Sequence, residues 1–101
     1  MKPTAQPEFS IVIPVLNEED QLSGLFSALK QQTYGNFEVI VADADSDDAS
    51  RELAEEQGAE VVEGGLPGVG RNRGASRAAG RYLLFLDADV QIPKDFIQKA
   101  L

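Results

Sequence analysis

Cysteine and histidine are both absent from the 101 residues of this chain. Without cysteine there are no disulfides and no thiolate nucleophiles, and without histidine there is no Ser-His-Asp triad. Zinc sites of the usual kind are excluded because they need one or both of these residue types. Any chemistry must therefore rest on carboxylates, arginines, amides and backbone groups.

Basic residues are few as well: 9 lysines and arginines stand against 17 aspartates and glutamates, which gives a formal net charge of -8. This balance argues against binding to the phosphate backbone of nucleic acid and against docking on anionic lipid. An anionic ligand would need a local arginine or a metal ion to offset the repulsion. The composition therefore predicts that nucleic acid is not a partner.

Long hydrophobic runs are also lacking. Residues 1–8 contain no apolar core of signal-peptide length, and no segment approaches the ~20 apolar residues that a membrane span needs. We therefore expect a cytoplasmic location and a flexible tail over residues 1–8, which include Pro3 and Pro7. With 43% hydrophobic residues, residues 9–101 are expected to form one globular domain with a modest core.

What the sequence does contain is an alternation of short apolar runs and helical patterns. We predict β-strands at residues 9–13 (closed by Pro14), 37–42, 60–63 and 83–86. We predict helices from near residue 18, at 51–56, at 72–79 and from 93 to 101. Strands that alternate with helices at this spacing predict right-handed crossovers and a doubly wound, mostly parallel α/β sheet. The nearly continuous apolar strands predict burial on both of its faces.

Carboxylates follow two of these strands. Asp87 and Asp89 come directly after the fourth strand, and residues two apart on an extended backbone point the same way. They can therefore converge on one divalent cation or one polyhydroxyl ligand at the strand's carboxyl end, where open α/β sheets bind ligands. A second acidic cluster, residues 43–48, follows strand two. Turn formation and helix capping are the alternative roles for these acids, and for Asn17 and Glu18 before the first helix.

A glycine-rich segment precedes the third helix. Residues 65–72, GLPGVGRN, nearly satisfy the phosphate-loop spacing GxxxxGK[ST], but Arg71 and Asn72 stand where Lys and Ser or Thr are needed. A dinucleotide-like G-x-G-x-x-x-G series follows strand three, whereas that motif belongs after a chain's first strand. Its glycines are Gly68, Gly70 and Gly74. Three arginines form either a diphosphate clamp or a solvated helix face: Arg71, Arg73 and Arg77.

In their order, these segments resemble the inverting nucleotide-sugar glycosyltransferases of the family 2 type, which include cellulose, chitin and hyaluronan synthases and polyprenyl-phosphate sugar transferases. The resemblance runs from Phe9 to Phe96. Residues 11–18, IVIPVLNE, are similar to the family's first strand and its P-x-x-N-E turn, and residues 31–34, QQTY, are similar to the loop before strand two. Three further segments match family motifs: residues 39–48, VIVADADSDD, match V-V-D-D-G-S-x-D; residues 70–75, GRNRGA, match A-R-N-x-G; and residues 87–89, DAD, match the D-x-D signature.

The resemblance implies a Rossmann-like GT-A fold, of which this chain would be the N-terminal nucleotide-binding half. It implies an enzyme that transfers a sugar from a nucleoside-diphosphate sugar to a hydroxyl of a saccharide or a lipid-linked acceptor. In that family the general base and the acceptor site lie in the second half of the domain. We therefore expect no catalytic base within residues 9–101, donor binding without turnover, and a longer parent protein. The cytoplasm and the cytoplasmic face of a membrane stay open as locations of that parent.

The resemblance also implies the residues of the site. The nucleotide-binding residues would be Pro14, Leu16, Asn17, Glu18, Asp43, Asp45, Arg71, Asn72, Asp87 and Ala88. Asp87 and Asp89 would hold Mg²⁺ or Mn²⁺ on the diphosphate, and Asp43 would contact the base or the ribose. Ala44 departs from the family pattern, which has a second aspartate there, so Asp45 is left to supply that carboxylate.

Three other functions stay open at this point. A nucleotidyltransferase has a glycine-rich basic loop after strand one, where this chain has Val15-Leu16-Asn17-Glu18. A phosphoacceptor receiver domain has an Asp after strand three, where this chain has Glu63-Gly64. The third alternative is a non-catalytic assembly module that self-associates through strand four as an open sheet edge.

Overall fold

The computed structural model describes residues 6–100, in which helices and strands alternate along the chain. The elements are β1 (Phe9–Val15), α1 (Glu19–Lys30), β2 (Phe37–Asp43), α2 (Ser50–Glu56), β3 (Glu60–Glu63), α3 (Pro67–Arg77), β4 (Tyr82–Phe85) and α4 (Phe96–Ala100). The strands form one parallel sheet in the order β3-β2-β1-β4. The predicted doubly wound α/β sheet is confirmed. Within residues 6–100, no helix is both long and apolar enough to cross a membrane.

β1 lies in the middle of the sheet and continues through Pro14, so the predicted strand end at Ile13 is wrong. The Val12 carbonyl accepts a hydrogen bond from the N–H of Leu86, on the β4 side of β1. Pro14 is two residues further on and faces the same side, where the ladder to β4 has already ended at the Val12↔Phe85 pair. The missing N–H of the proline therefore removes no ladder bond.

The main core lies on one face of the sheet. Leu22, Leu25, Phe26 and Leu29 of α1 are all buried, as their helical spacing predicts. They pack with Ile97 of α4 and with alternate residues of the two central strands, namely Ile11, Ile13, Val39 and Val41. Both central strands are buried along nearly their whole length, as predicted for them.

α3 covers the opposite face and packs chiefly against β1, β2 and β3. It begins at Pro67, so much of the predicted glycine-rich loop is helical; proline suits a first helical turn because its φ is already fixed. A Cβ on Gly74 would collide with Cγ1 of Val12, and one on Gly70 would lie 3.4 Å from Cβ of Ala42. Gly70 and Gly74 therefore let α3 approach the sheet closely. This packing explains why two glycines of the dinucleotide-like series are present.

β4 is an edge strand, and the prediction that it is buried on both faces is wrong. Tyr82, Leu83 and Phe85 are 50%, 43% and 45% exposed, since α3 packs chiefly on the other three strands. The start of β4 holds the chain before β1: the N–H of Tyr82 donates to the Glu8 carbonyl at 2.9 Å, and that of Arg81 to the Pro7 carbonyl at 3.3 Å. Pro7 and Glu8 are thus fixed to the sheet, while residues 1–5 of the predicted tail lie outside the described residues.

The last helix starts later than predicted. α4 begins at Phe96 rather than at residue 93, and residue 101, the predicted end, lies outside the described residues.

We expect Gly74→Ala to lower the free energy of unfolding by about 1–3 kcal/mol, because the added methyl group overpacks α3 against Val12. Gly68→Ala is the matched control in the same helix, since a Cβ there meets nothing within 4 Å. It should be neutral or gain up to about 1 kcal/mol from helix propensity. Urea denaturation of both variants measures the difference, and equal midpoints would contradict the close packing.

Candidate functional site

Among the cavities at the carboxyl ends of the strands, a central one and a lateral one share part of their lining. The central cavity, about 340 Å³, is lined by Pro14, Val15, Leu16, Glu18, Ala44, Gly65, Arg71, Asp87, Ala88 and Asp89. The lateral cavity, about 450 Å³, is lined by Asp43, Ala44, Asp45, Arg51, Glu63, Gly64 and Gly65. Ala44 and Gly65 border both cavities, so a ligand longer than either one can extend across the two.

Asp87 and Asp89 lie together at the central cavity, but not for the predicted reason. β4 ends at Phe85, and the N–H of Val90 donates to the Asp87 carbonyl at 3.1 Å, so the two aspartates lie in a turn rather than on an extended strand. Ala88 between them is 1% exposed and belongs to the hydrophobic core. Burial of this small residue anchors the turn and leaves the carboxylates on either side exposed to solvent.

Arg71 brings a positive charge to the same cavity. Its Nη2 lies 3.7 Å from Oδ1 of Asp87. The two side chains are 42% and 70% exposed, so the ion pair itself contributes little stability. Arg71 follows Gly70, whose contact with the sheet places this part of α3 beside the strand ends. A guanidinium and two carboxylates therefore face one space, an arrangement suited to a ligand that carries phosphate and a cation.

The other two arginines of α3 turn toward β3. Arg77 pairs with Glu60, and this hydrogen bond raises the pKa of the guanidinium. Arg73 donates to the Gly64 carbonyl at 3.1 Å and lies 3.9 Å from a carboxylate oxygen of Glu63. Of the three arginines in the predicted clamp, Arg71 lines the central cavity, and Arg73 and Arg77 line neither the central nor the lateral cavity. Arg73 and Arg77 lie on the solvated helix face that was the alternative to a clamp.

Asp43 lies at the end of β2 and is 3% exposed. Its Oδ1 accepts a hydrogen bond from Ser46 Oγ at 2.6 Å, and its Oδ2 accepts one from Ser46 N–H at 3.1 Å. Arg51 Nε lies 3.7 Å from the same Oδ2. Asp43 therefore organises its own loop as well as bordering the lateral cavity, where Asp45, at φ 64°, stands at the surface.

Arg51 was not identified from the sequence. Arg51 lies on α2, a few residues after the acidic cluster at 43–48. A single basic residue so close to this cluster is the sequence feature that could have indicated it. In the folded chain, Arg51 lies beside Asp43 and lines the lateral cavity.

Two predicted nucleotide-binding residues, Asn17 and Asn72, border neither cavity. Asn72 is exposed on α3, and its carbonyl accepts a hydrogen bond from Ser76 Oγ. The N–H of Asn17 donates to Ser46 Oγ at 2.9 Å, and its Oδ1 accepts from Asp47 N–H at 2.7 Å. Asn17 therefore joins the loop after β1 to the loop after β2.

The first turn of α1 is capped from the loop after β2. Neither Asn17 nor Glu18 caps it through its side chain; Glu18 Oε1 instead accepts from the N–H of Leu16 at 3.3 Å. The N–H of Glu19 donates to Asp48 Oδ2 at 3.2 Å, and that of Glu18 to Ser50 Oγ, also at 3.2 Å. Helix capping was the alternative role for the 43–48 cluster, and Asp48 has that role: its carboxylate accepts from an N–H of the first turn of α1 that has no partner within the helix.

The carboxyl of Asp48 has a pKa below its ordinary value of 3.8, chiefly because it accepts a hydrogen bond from Ser50 Oγ at 2.5 Å. Backbone N–H groups of Ser50 and Glu19 lower it further, while partial desolvation acts in the opposite direction. The folded state favours the ionised form. Its contribution to stability is therefore present above the ordinary pKa and is lost as the pH falls through the lowered one.

We expect Asp48→Asn to reduce the free energy of unfolding at neutral pH, and the difference from the unsubstituted chain to shrink as the pH falls from about 5 to about 2. Asp47→Asn is the control, since the Asp47 side chain accepts no hydrogen bond within residues 6–100. Urea titrations across this pH range measure both. A difference for Asp48→Asn that does not change with pH would contradict the assignment.

A family model described as glycosyl transferase family 2 matches residues 10–101. The chain is 39% identical over 104 residues to the amylovoran biosynthesis glycosyltransferase AmsB of Erwinia amylovora, an alignment that covers 92% of this chain and 34% of the relative. The chain thus spans about a third of the length of this relative.

Solved structures agree with this match. The TarS 1–349 structure from S. aureus in complex with UDP-GlcNAc superposes with a TM-score of 0.82 at 29% identity, over 92% of this chain and 30% of that one. Glucosyl-3-phosphoglycerate synthase from Mycobacterium tuberculosis, in complex with Mn²⁺, UDP and glucosyl-3-phosphoglycerate, superposes with a TM-score of 0.70 at 28% identity, over 86% of this chain and 35% of that one.

Proposed function

The chain belongs to glycosyltransferase family 2 and has the GT-A fold, and we propose that it binds a nucleoside-diphosphate sugar whose sugar the whole protein transfers to an acceptor hydroxyl. The observation that carries this proposal is the central cavity, where Asp87, Asp89 and Arg71 face one space at the strand ends. The similar structures that contain UDP-GlcNAc, or UDP with Mn²⁺, support a nucleotide-sugar donor.

The donor set at the central cavity fits a divalent cation. Within residues 6–100 no cluster of three or more acidic side chains is placed to hold a metal ion. Mg²⁺ is commonly held by one or two carboxylates together with substrate phosphates, and Asp87 and Asp89 are two carboxylates on one cavity. They would hold Mg²⁺ or Mn²⁺, which neutralises negative charge on the diphosphate when bound.

The residues around the cation divide the remaining work. Arg71 can donate hydrogen bonds to diphosphate oxygens and offset the charge that grows there as the sugar departs. The lateral cavity, which shares Ala44 and Gly65 with the central one, would take the nucleoside. Its lining contains Arg51 and the exposed Asp45, so both hydrogen-bond donors and acceptors are available to a base.

Transfer itself belongs to the whole protein in this proposal. We expect the 101-residue chain to bind the donor without transferring its sugar, since it spans about a third of the length of the relative described above. The family assignment favours glycosyl transfer over nucleotidyl transfer and over a phosphoacceptor function.

Calorimetric titration of UDP and of GDP in the presence of Mn²⁺ tests donor binding. We expect one of the two nucleotides to bind, and binding to disappear when the metal is chelated. Asp89→Asn should weaken binding at least about tenfold, because a carboxylate that faces the cation and the diphosphate is lost.

Asp95→Asn is the matched control, since it changes the net charge equally but alters an ion pair with Lys99 outside both cavities. It should bind the nucleotide as the unsubstituted chain does. If a folded chain releases no heat with either nucleotide, or binds equally well without metal, the proposal is contradicted.

The open edge of β4 supports a second property. Among the described strands β4 is at the end of the sheet, and its Leu83 and Phe85 side chains are nearly half exposed. Unpaired backbone groups beside apolar side chains favour pairing with another strand. We propose that two copies of the chain associate through this edge.

Light scattering over a range of concentrations tests the association. We expect a mass that rises with concentration, and Phe85→Lys should shift the protein toward monomer because it places a charge on the edge. Leu66→Lys is the control, because Leu66 is 78% exposed and lies directly before α3 rather than in β4. A monomer at every concentration would contradict the proposal.

A further inference from the structure

The two loops that wall the cavities are joined by hydrogen bonds between residues about 30 positions apart. Asn17, in the loop after β1, donates its N–H to Ser46 Oγ at 2.9 Å, and its Oδ1 accepts from Asp47 N–H at 2.7 Å. The Ser46 hydroxyl in turn donates to Oδ1 of buried Asp43 at 2.6 Å. A continuous polar chain therefore runs from the end of β2 to the loop after β1.

Asn17 has a φ of 51°, in the left-handed region that asparagine adopts more readily than most residues. The backbone and the side chain of Asn17 therefore both bind the loop after β2. The N–H donates to Ser46 Oγ, and the side-chain amide oxygen accepts from the Asp47 N–H. Its two chain neighbours, Leu16 and Glu18, both line the central cavity, whereas Asn17 lines neither cavity.

We infer that Asn17 is a positioning residue for donor binding, which fixes the walls of both cavities without contacting the ligand. This inference rests on the donor-binding function proposed above. Walls that are already held in place lose less conformational freedom when a ligand binds, so the nucleotide binds more tightly than it would to mobile loops. The same hydrogen bonds connect Asp43, which lines the lateral cavity, to the loop that carries Leu16, which lines the central cavity.

Substitutions can separate the backbone contribution of Asn17 from that of its side chain. Asn17→Gly keeps a residue that tolerates positive φ but removes the oxygen that accepts from Asp47. Asn17→Asp keeps both a side-chain acceptor and a residue that tolerates this φ. Thr33→Ala is a matched control: it removes a 2.8 Å loop hydrogen bond to Gln98 at the other end of the sheet, before β2.

The experiment compares these variants with the unsubstituted chain by titration of UDP and GDP with Mn²⁺ at 0.15 M salt, where exposed charges are screened beyond about 8 Å. We expect Asn17→Gly to bind nucleotide about five- to tenfold more weakly, which corresponds to one lost hydrogen bond. Asn17→Asp should bind more tightly than Asn17→Gly, because it keeps an acceptor for the Asp47 N–H. Thr33→Ala should bind as tightly as the unsubstituted chain.

Amide hydrogen exchange supplies a second readout that does not depend on a ligand. Exchange of the Asp47 N–H should accelerate in Asn17→Gly and not in Asn17→Asp, while the amides of β1 and β2 keep their protection. If Asn17→Gly does not fold, Ser46→Ala is the second variant, because it removes the acceptor of the Asn17 N–H. Nucleotide binding should weaken to a similar extent, and exchange should accelerate at the Asn17 N–H.

The outcomes distinguish the two proposals. If the unsubstituted chain binds neither nucleotide, donor binding fails and this inference fails with it. If the unsubstituted chain binds but Asn17→Gly binds equally well, or Asn17→Gly loses affinity without faster exchange at Asp47, donor binding stands and the positioning role of Asn17 is overturned.

Discussion

β1 pairs with β2 over seven residues and with β4 over four, and all three strands run in the same direction. Their carboxyl ends therefore meet at one edge, together with the loops that carry the candidate site. A shift of β1 by one residue would turn Ile11 and Ile13 away from the α1 core, at the cost of their burial. The hydrophobic packing that fixes the register thus also fixes which polar side chains meet at the strand ends.

The second constraint is the close approach of α3 to the sheet. Gly70 and Gly74 have no side chain to hold the helix away from Ala42 and Val12, so the start of α3 lies directly beside the strand ends. This brings Arg71 to Asp87 in a chain whose net charge is -8. In the proposed function, that single arginine and a cation held by the carboxylates together offset the charge of a diphosphate, which an acidic protein would otherwise repel.

Much of the fold follows from local patterns, because the apolar spacing of α1 and the apolar runs of β1 and β2 record which faces are buried. The location of Asp87 and Asp89 was also predictable, but their turn was not, since its cause is the burial of Ala88 by the rest of the core. Gly74 looked like part of a ligand motif because its contact with Val12 exists only once α3 packs on the sheet. Arg51 and Asn17 act through partners on other loops or elements, and no local pattern records those contacts.

Donor binding across the two cavities can be tested most directly by two-dimensional ¹⁵N–¹H NMR of the protein during titration with UDP and GDP in Mg²⁺. Donor binding predicts that shifts concentrate at the amides of residues that line the cavities, such as Leu16, Ala44, Gly65 and Ala88. Thr33, at the opposite end of the sheet, should change little. Shifts that are absent with both nucleotides, or that concentrate around Thr33, would contradict donor binding at the strand ends.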